Sequence, residues 1–279
     1  MPELPEVETV RRGLAPVMVG AVFAKVTLNR PDLRFPFAPK FKTRIEGTTL
    51  TRLSRRAKFL RAELSSGETL YMHLGMSGRF IIDGTSALSN YAHEHAANPK
   101  HHHVIFKMSS GAIITYNDPR RFGFMELIGE SEPYRLDHIG PEPLGNAFNG
   151  PVLREALKGK KSKIKAALLD QRVVAGLGNI YVCEALYRTG ISPRRAAGRL
   201  KATETDELAA HIKDILSEAI EAGGSSLKDF SNTDGKLGYF QHRFDVYGRE
   251  DEPCGSCAAP IKRIVQSGRS SFFCGVCQG

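Results

Sequence analysis

Four cysteines close to the end of the chain, Cys254, Cys257, Cys274 and Cys277, follow the spacing C-x2-C-x16-C-x2-C. Two such knuckles bring four thiolates to the corners of a tetrahedron around one zinc ion, and the spacing predicts a structural site. Two disulfides are the competing arrangement, but nothing in the chain points to an oxidising compartment. The residues between the knuckles, "IKRIVQSGRSSFF", read as a hairpin with Lys262, Arg263 and Arg269 on it. Zinc binding of about 10–16 kcal/mol would hold so small a hairpin rigid, which a protein needs only if the hairpin has to point somewhere. The fifth cysteine, Cys183, lies in a helical pattern and reads as a small core residue.

The charge indicates where it points. The net charge is +9, and between Arg154 and Lys201 twelve Lys and Arg face three acids, while the rest of the chain balances at 27 against 27. A block this one-sided predicts contact with a polyanion, DNA or RNA. With no tryptophan and no arginine-glycine tract, a disordered RNA-binding tail is unsupported. No run has the length of a membrane span and no apolar segment follows a basic start, so a soluble, cytoplasmic protein without membrane contact is expected. Its 279 residues suit two domains plus a small module.

Along the chain, an opening helix to about Gly13 gives way to strands. "AVFAKVTL" is one, "KFLRAELSSGETLYMHL" pairs two alternating runs across Ser65-Ser66-Gly67, and "HVIFKMSSGAIITYN" repeats the device across Ser109-Ser110-Gly111. The first half therefore predicts a β-sandwich, with a polar loop between Asp83 and Lys100. Helices follow: Ser162 is placed to cap "KIKAALLDQ", Asn179 to cap "IYVCEALYRTG" with Gly190 as its stop, and "TETDELAAHIKDILSEAIEAGG" is amphipathic. The first two, joined by "RVVAGLG", resemble a widened helix-turn-helix inside the basic block. The fold class is α+β and multidomain: an N-terminal β-sandwich domain over 1–139 that begins with a helix, a helix-two-turn-helix domain over 140–238, and a zinc-finger β-hairpin over 239–279.

The opening "MPELPEVETV" raises a separate question. Pro5 and the glutamates suit a helix start. Pro2 is different, because loss of Met1 would leave a secondary amine titrating at about 7.7–8.0, well below a lysine, and so partly neutral and nucleophilic at physiological pH.

"PELPEVETV", "RRAKFL", "MHLGMSGRF", "NDPRRFG", "QRVVAGLGNIY", "GYFQHRFDVYGR" and the cysteine hairpin, in this order and over nearly the whole length, resemble the bacterial formamidopyrimidine-DNA glycosylase family. The resemblance implies a monomeric base-excision repair enzyme that acts on double-stranded DNA containing oxidised purines, 8-oxoguanine and formamidopyrimidines, and then cuts the strand as a lyase. It implies Pro2 as nucleophile on C1′ of the damaged nucleotide, Glu3 as acid and base, Lys58 at the lesion phosphate and in elimination, and Arg269 as the hairpin arginine engaged in δ-elimination. Ala57 stands in "RRAKFL" where many relatives carry glycine, which puts the local backbone shape in question. A glycosylase must extrude its target and fill the hole left behind. Met76, Arg120 and Phe122 match the side chains that do so: a wedge, a donor for the orphaned cytosine, and an aromatic at the neighbouring step. His73, Lys161, Lys165 and Asn179 match phosphate contacts, and His101 a DNA contact that His102 or His103 could equally supply. The segment Gly223 to Phe240 resembles the one that closes over the extruded purine. His93 and His95 in the polar loop are expected to be mobile and free of metal.

Two alternatives stand beside this. The endonuclease VIII type shares the architecture, but its opening usually has Gly where this chain has Leu4, and it lacks the full Met/Arg/Phe set. A zinc-ribbon DNA-binding protein without catalysis would leave Pro2 and Glu3 unexplained.

Overall fold

The computed structural model describes residues 2–83, 98–130, 132, 134–225 and 240–279. They fall into two compact units, Met1–Tyr134 with Ala222–Tyr239, and Arg135–Glu221 with Phe240–Gly279. No described helix is long and apolar enough to cross a membrane.

The first unit is a sandwich of two antiparallel four-stranded sheets. Strands β1 (Phe23–Leu28), β5 (Arg79–Asp83), β6 (His102–Met108) and β7 (Ile113–Asn117) form one in the order β1-β6-β7-β5. The other consists of β2 (Leu50–Arg56), β3 (Phe59–Leu64), β4 (Thr69–His73) and β8 (Phe124–Ile128) in the order β2-β3-β4-β8. Strict alternation explains the layering: Leu60, Ala62, Leu64, Leu70 and Met72 turn inward from β3 and β4 and meet Phe80, Phe106 and Ile114 of the other sheet in one apolar core. Helix α1 (Leu4–Met18) adds Val7, Val10 and Leu14 to the same core. It runs five residues beyond the expected stop at Gly13, because Leu14 and Met18 continue the buried stripe. The Arg-rich β2 and the short β5 and β8 were not legible as strands; pairing supplies what their composition does not. A five-residue helix, α2 (Phe41–Ile45), precedes β2.

The second unit packs α3 (Gly150–Leu157) and α5 (Asn179–Arg188) against the long α6 (Ala202–Glu221), with α4 (Ile164–Leu169) beside α5. Leu208, Ile212, Ile215, Leu216 and Ala219 give α6 its buried face. Two expected caps are corrected. Lys163, not Ser162, precedes α4, and Gly178 is the cap of α5, which makes Asn179 its first residue. Gly190 does follow the end of α5, with φ 68° in the left-handed region where glycine is favoured. The hairpin of β9 (Ile261–Gln266) and β10 (Arg269–Cys274) lies against α5. Glu184, buried on α5, accepts the backbone N–H groups of Asp245, Val246 and Tyr247 at 2.8, 3.1 and 2.8 Å and so fixes the segment leading to the hairpin. Burial pushes this carboxyl above its ordinary pKa, while the three N–H groups oppose the shift.

Candidate active site

Pro2 and Glu3 are both buried at the head of α1, with Glu3 only 3% exposed. Glu3 is the N-cap in a reciprocal capping box: its side chain accepts the N–H of Glu6, and its own N–H donates to Glu6 Oε2 at 2.8 Å. The other oxygen of Glu6 accepts from Ser225 N at 2.8 Å and Ser225 Oγ at 2.9 Å. Glu6 thus ties the first residues to the start of the segment expected to cover the purine. Sequence reasoning gave Glu6 only a helix-dipole role; the capping spacing Glu3-x-x-Glu6 was the available signal. Most of that covering segment, like His93 and His95, lies outside the described residues.

Lys58 sits in the tight turn between β2 and β3, where Arg56 pairs with Phe59, and it is 7% exposed. The preceding Ala57 has φ 53°, so alanine takes the left-handed conformation that glycine would hold more easily. Arg55 Nη1 donates to the Ala57 carbonyl at 2.9 Å and helps keep it there. His73 ends β4 with its ring stacked on Phe124 at 5.2 Å. Its Nδ1 accepts the Gly75 N–H at 3.0 Å, which puts the neutral ring's hydrogen on Nε2.

Met76, Arg120 and Phe122 are brought together on two adjoining turns. A Cβ on Gly75 would lie 2.3 Å from both Phe122 C and Gly123 N, so the turns touch backbone to backbone. Met76 is half-buried and Arg120 exposed. Phe122, which composition alone would place in a core, is 41% exposed, with the Arg120 guanidinium 5.1 Å from its ring. Of the three histidines, His103 points inward with Nε2 2.9 Å from the Asp118 carbonyl, and its burial pushes its pKa down. His101 and His102 are half-buried.

In the second unit Lys161 and Arg269 are exposed and available to phosphate. Lys165 is placed differently from Lys161. It is 1% exposed, and its ammonium donates to Ser270 O and Ser271 Oγ, both at 2.7 Å. The half-buried Asn179 donates through Nδ2 to the same Ser270 carbonyl at 2.9 Å. Both therefore brace the hairpin strand beside Arg269.

The four cysteine sulfurs lie within 4.8 Å of one another. Cys254 and Cys277 are 3.9 Å apart and Cys257 and Cys274 3.5 Å apart. A tetrahedral site with Zn–S of about 2.3 Å has edges of about 3.8 Å, whereas a disulfide needs about 2.0 Å. The residues fit one structural zinc ion, and Tyr187 Oη, 3.2 Å from Cys254 Sγ, adds an outer partner.

Three family models match successive parts of the chain. The family described as "Formamidopyrimidine-DNA glycosylase N-terminal domain" matches residues 1–125, "Formamidopyrimidine-DNA glycosylase H2TH domain" matches 139–231, and "Zinc finger found in FPG and IleRS" matches 251–279. The chain is 58% identical to the formamidopyrimidine-DNA glycosylase of Ruegeria pomeroyi and 55% to that of Roseobacter denitrificans, over the full length of each. The crystal structure of the Thermus thermophilus protein superposes with a TM-score of 0.85 at 38% identity, covering 99% of this chain and 98% of that one. A Lactococcus lactis protein in complex with DNA containing an abasic site gives 0.87 at 36% identity over the whole of both chains. Another complex of that protein, a mutant with Fapy-dG-containing DNA, gives 0.86 at 38%, covering 99% of each.

Proposed function

Because the chain belongs to the formamidopyrimidine-DNA glycosylase family and is a DNA glycosylase of DNA repair, we propose that it excises oxidised purines from duplex DNA through a covalent intermediate on Pro2 and then cleaves the strand as a lyase. The observation that carries this reading is the head of α1, where Pro2 and Glu3 are buried side by side and a capping box holds Glu3 in place.

Once Met1 is removed, the Pro2 nitrogen lone pair forms a bond to C1′ as the bond from C1′ to the base breaks. The base leaves with that electron pair and takes a proton. Glu3 protonates O4′ as the sugar ring opens, which generates an iminium at C1′. The cation makes the C2′ proton acidic; its removal expels the 3′ phosphate, and a second elimination expels the 5′ phosphate. Lys58 and Arg269 serve these eliminations at the phosphates, and His73 donates from Nε2. Lys161 and Asn179 hold the backbone, as does the exposed side of the 101–102 pair, while Lys165 acts through the hairpin strand. Zinc gives that hairpin its cohesion through Cys254, Cys257, Cys274 and Cys277. Met76, Arg120 and Phe122 fill the hole, with Arg120 reading the orphaned cytosine. The modules 1–139, 140–238 and 239–279 divide these tasks in a monomer acting on nucleoid DNA.

The test is a borohydride trap on a duplex carrying 8-oxoguanine opposite cytosine. An adduct mapped by mass spectrometry to Pro2 is expected; binding without an adduct would leave a DNA-binding module only.

A further inference from the structure

Asp118 is wholly buried, and a carboxylate placed there costs several kcal/mol unless it is fully engaged. Its engagement is selective. Oδ1 accepts from Ser77 Oγ at 2.6 Å, in the turn that carries Met76. Oδ2 accepts from Gly123 N at 2.9 Å, in the turn that carries Phe122, and from Tyr116 Oη at 3.3 Å. Ser77 Oγ in turn accepts the N–H of Arg120 at 3.1 Å. One carboxylate therefore holds the residue after Met76 and the residue after Phe122 directly, and reaches the Arg120 N–H through Ser77.

The main chain of Asp118 is held as firmly. Its N–H donates to His101 O at 3.1 Å, and its carbonyl accepts from Arg121 N at 3.3 Å and from His103 Nε2. A carbonyl can only accept, so His103 Nε2 carries the hydrogen there. The glycines report the same tightness. A Cβ on Gly78 would meet Tyr116 Oη at 2.3 Å, and one on Gly123 would meet it at 1.8 Å. Both turns pack directly on the Tyr116 hydroxyl.

We propose that Asp118 is a positioning residue that couples the Met76 turn to the Arg120–Phe122 turn, so that wedge, donor and aromatic enter the duplex as one preorganised body. The inference rests on the hole-filling role proposed above. The physical reason is entropic: three side chains on independent loops would each have to be ordered on binding, whereas a rigid unit is ordered in advance. Arg120 is the most exposed to this coupling, because its own N–H is the end of the chain Asp118–Ser77–Arg120.

The test measures single-turnover excision of 8-oxoguanine opposite cytosine and opposite adenine by wild type, Asp118→Asn and Ser77→Ala. The mild core variant Ile114→Val is the control for lowered thermal stability, since Ile114 is buried on β7 without touching this network in any polar sense. Asparagine cannot accept on both sides, and loss of one such bond corresponds to about a tenfold effect. The preference for cytosine over adenine should fall by about tenfold in Asp118→Asn, less in Ser77→Ala, and not at all in Ile114→Val. A merely structural aspartate would slow both duplexes equally and leave the preference intact; that result, or wild-type behaviour in both variants, overturns the proposal. Wild type inactive on both duplexes would instead overturn the glycosylase reading of this site and the inference with it.

Discussion

Two turns of this protein each present an arginine, and they are made rigid in different ways. Arg120 leaves a turn seated on a broad sandwich core and held by the buried Asp118 carboxylate. Arg269 follows the two-residue turn Ser267-Gly268, both at positive φ, at the tip of a hairpin whose own buried apolar cluster is small. A sandwich buries enough surface to carry a charged group inside it. A hairpin of this size does not, so metal and side chains from a neighbouring helix supply the rigidity. Polar preorganisation needs an apolar foundation, and where the chain is too short to build one, coordination bonds replace it.

The sharpest break of this comparison is removal of the metal. Chelation or Cys274→Ser should cost the hairpin most of the roughly 10–16 kcal/mol that zinc contributes. DNA binding should be lost while hydrogen-exchange protection of β6 and β7 persists; loss of that protection would show the two kinds of rigidity to be one. Next comes Gly123→Ala, whose Cβ would fall 1.8 Å from Tyr116 Oη and 2.7 Å from His73 O. It should lower stability by about 3 kcal/mol in denaturant titrations and leave zinc content unchanged. The smallest effect separates Lys165 from Lys161. Lys161→Ala should reduce the slope of log affinity against log salt by about one. Lys165→Met should leave that slope alone while lowering hairpin stability by about 1–3 kcal/mol; a reduced slope would return Lys165 to the phosphate-binding set.

The cysteine spacing, the alternating strands and the charge block made the architecture legible, because each reflects a local rule: ligand geometry, period two, like-charge surface. What escaped was decided at a distance. Nothing in "SKIKAALL" tells whether Lys165 faces solvent or Ser270, which lies 105 residues away. Phe122 looks like a core residue by type, yet it sits on a turn whose backbone packs against Gly75 and its side chain is exposed. Three consecutive histidines were equivalent as sequence; the strand register turned His103 inward onto the Asp118 carbonyl and left His101 and His102 half-buried. Ala57 was noted as a departure, and the structure shows what it departs from, a left-handed turn position.

The contact between Glu6 and Ser225 spans 219 residues of chain. A ribosome adding about 5–20 residues per second delivers Ser225 roughly 10–45 s after Glu6. Until then the capping box of α1 stands with one Glu6 oxygen still awaiting Ser225, so the helix start is set first and the late segment docks onto a carboxylate already in place.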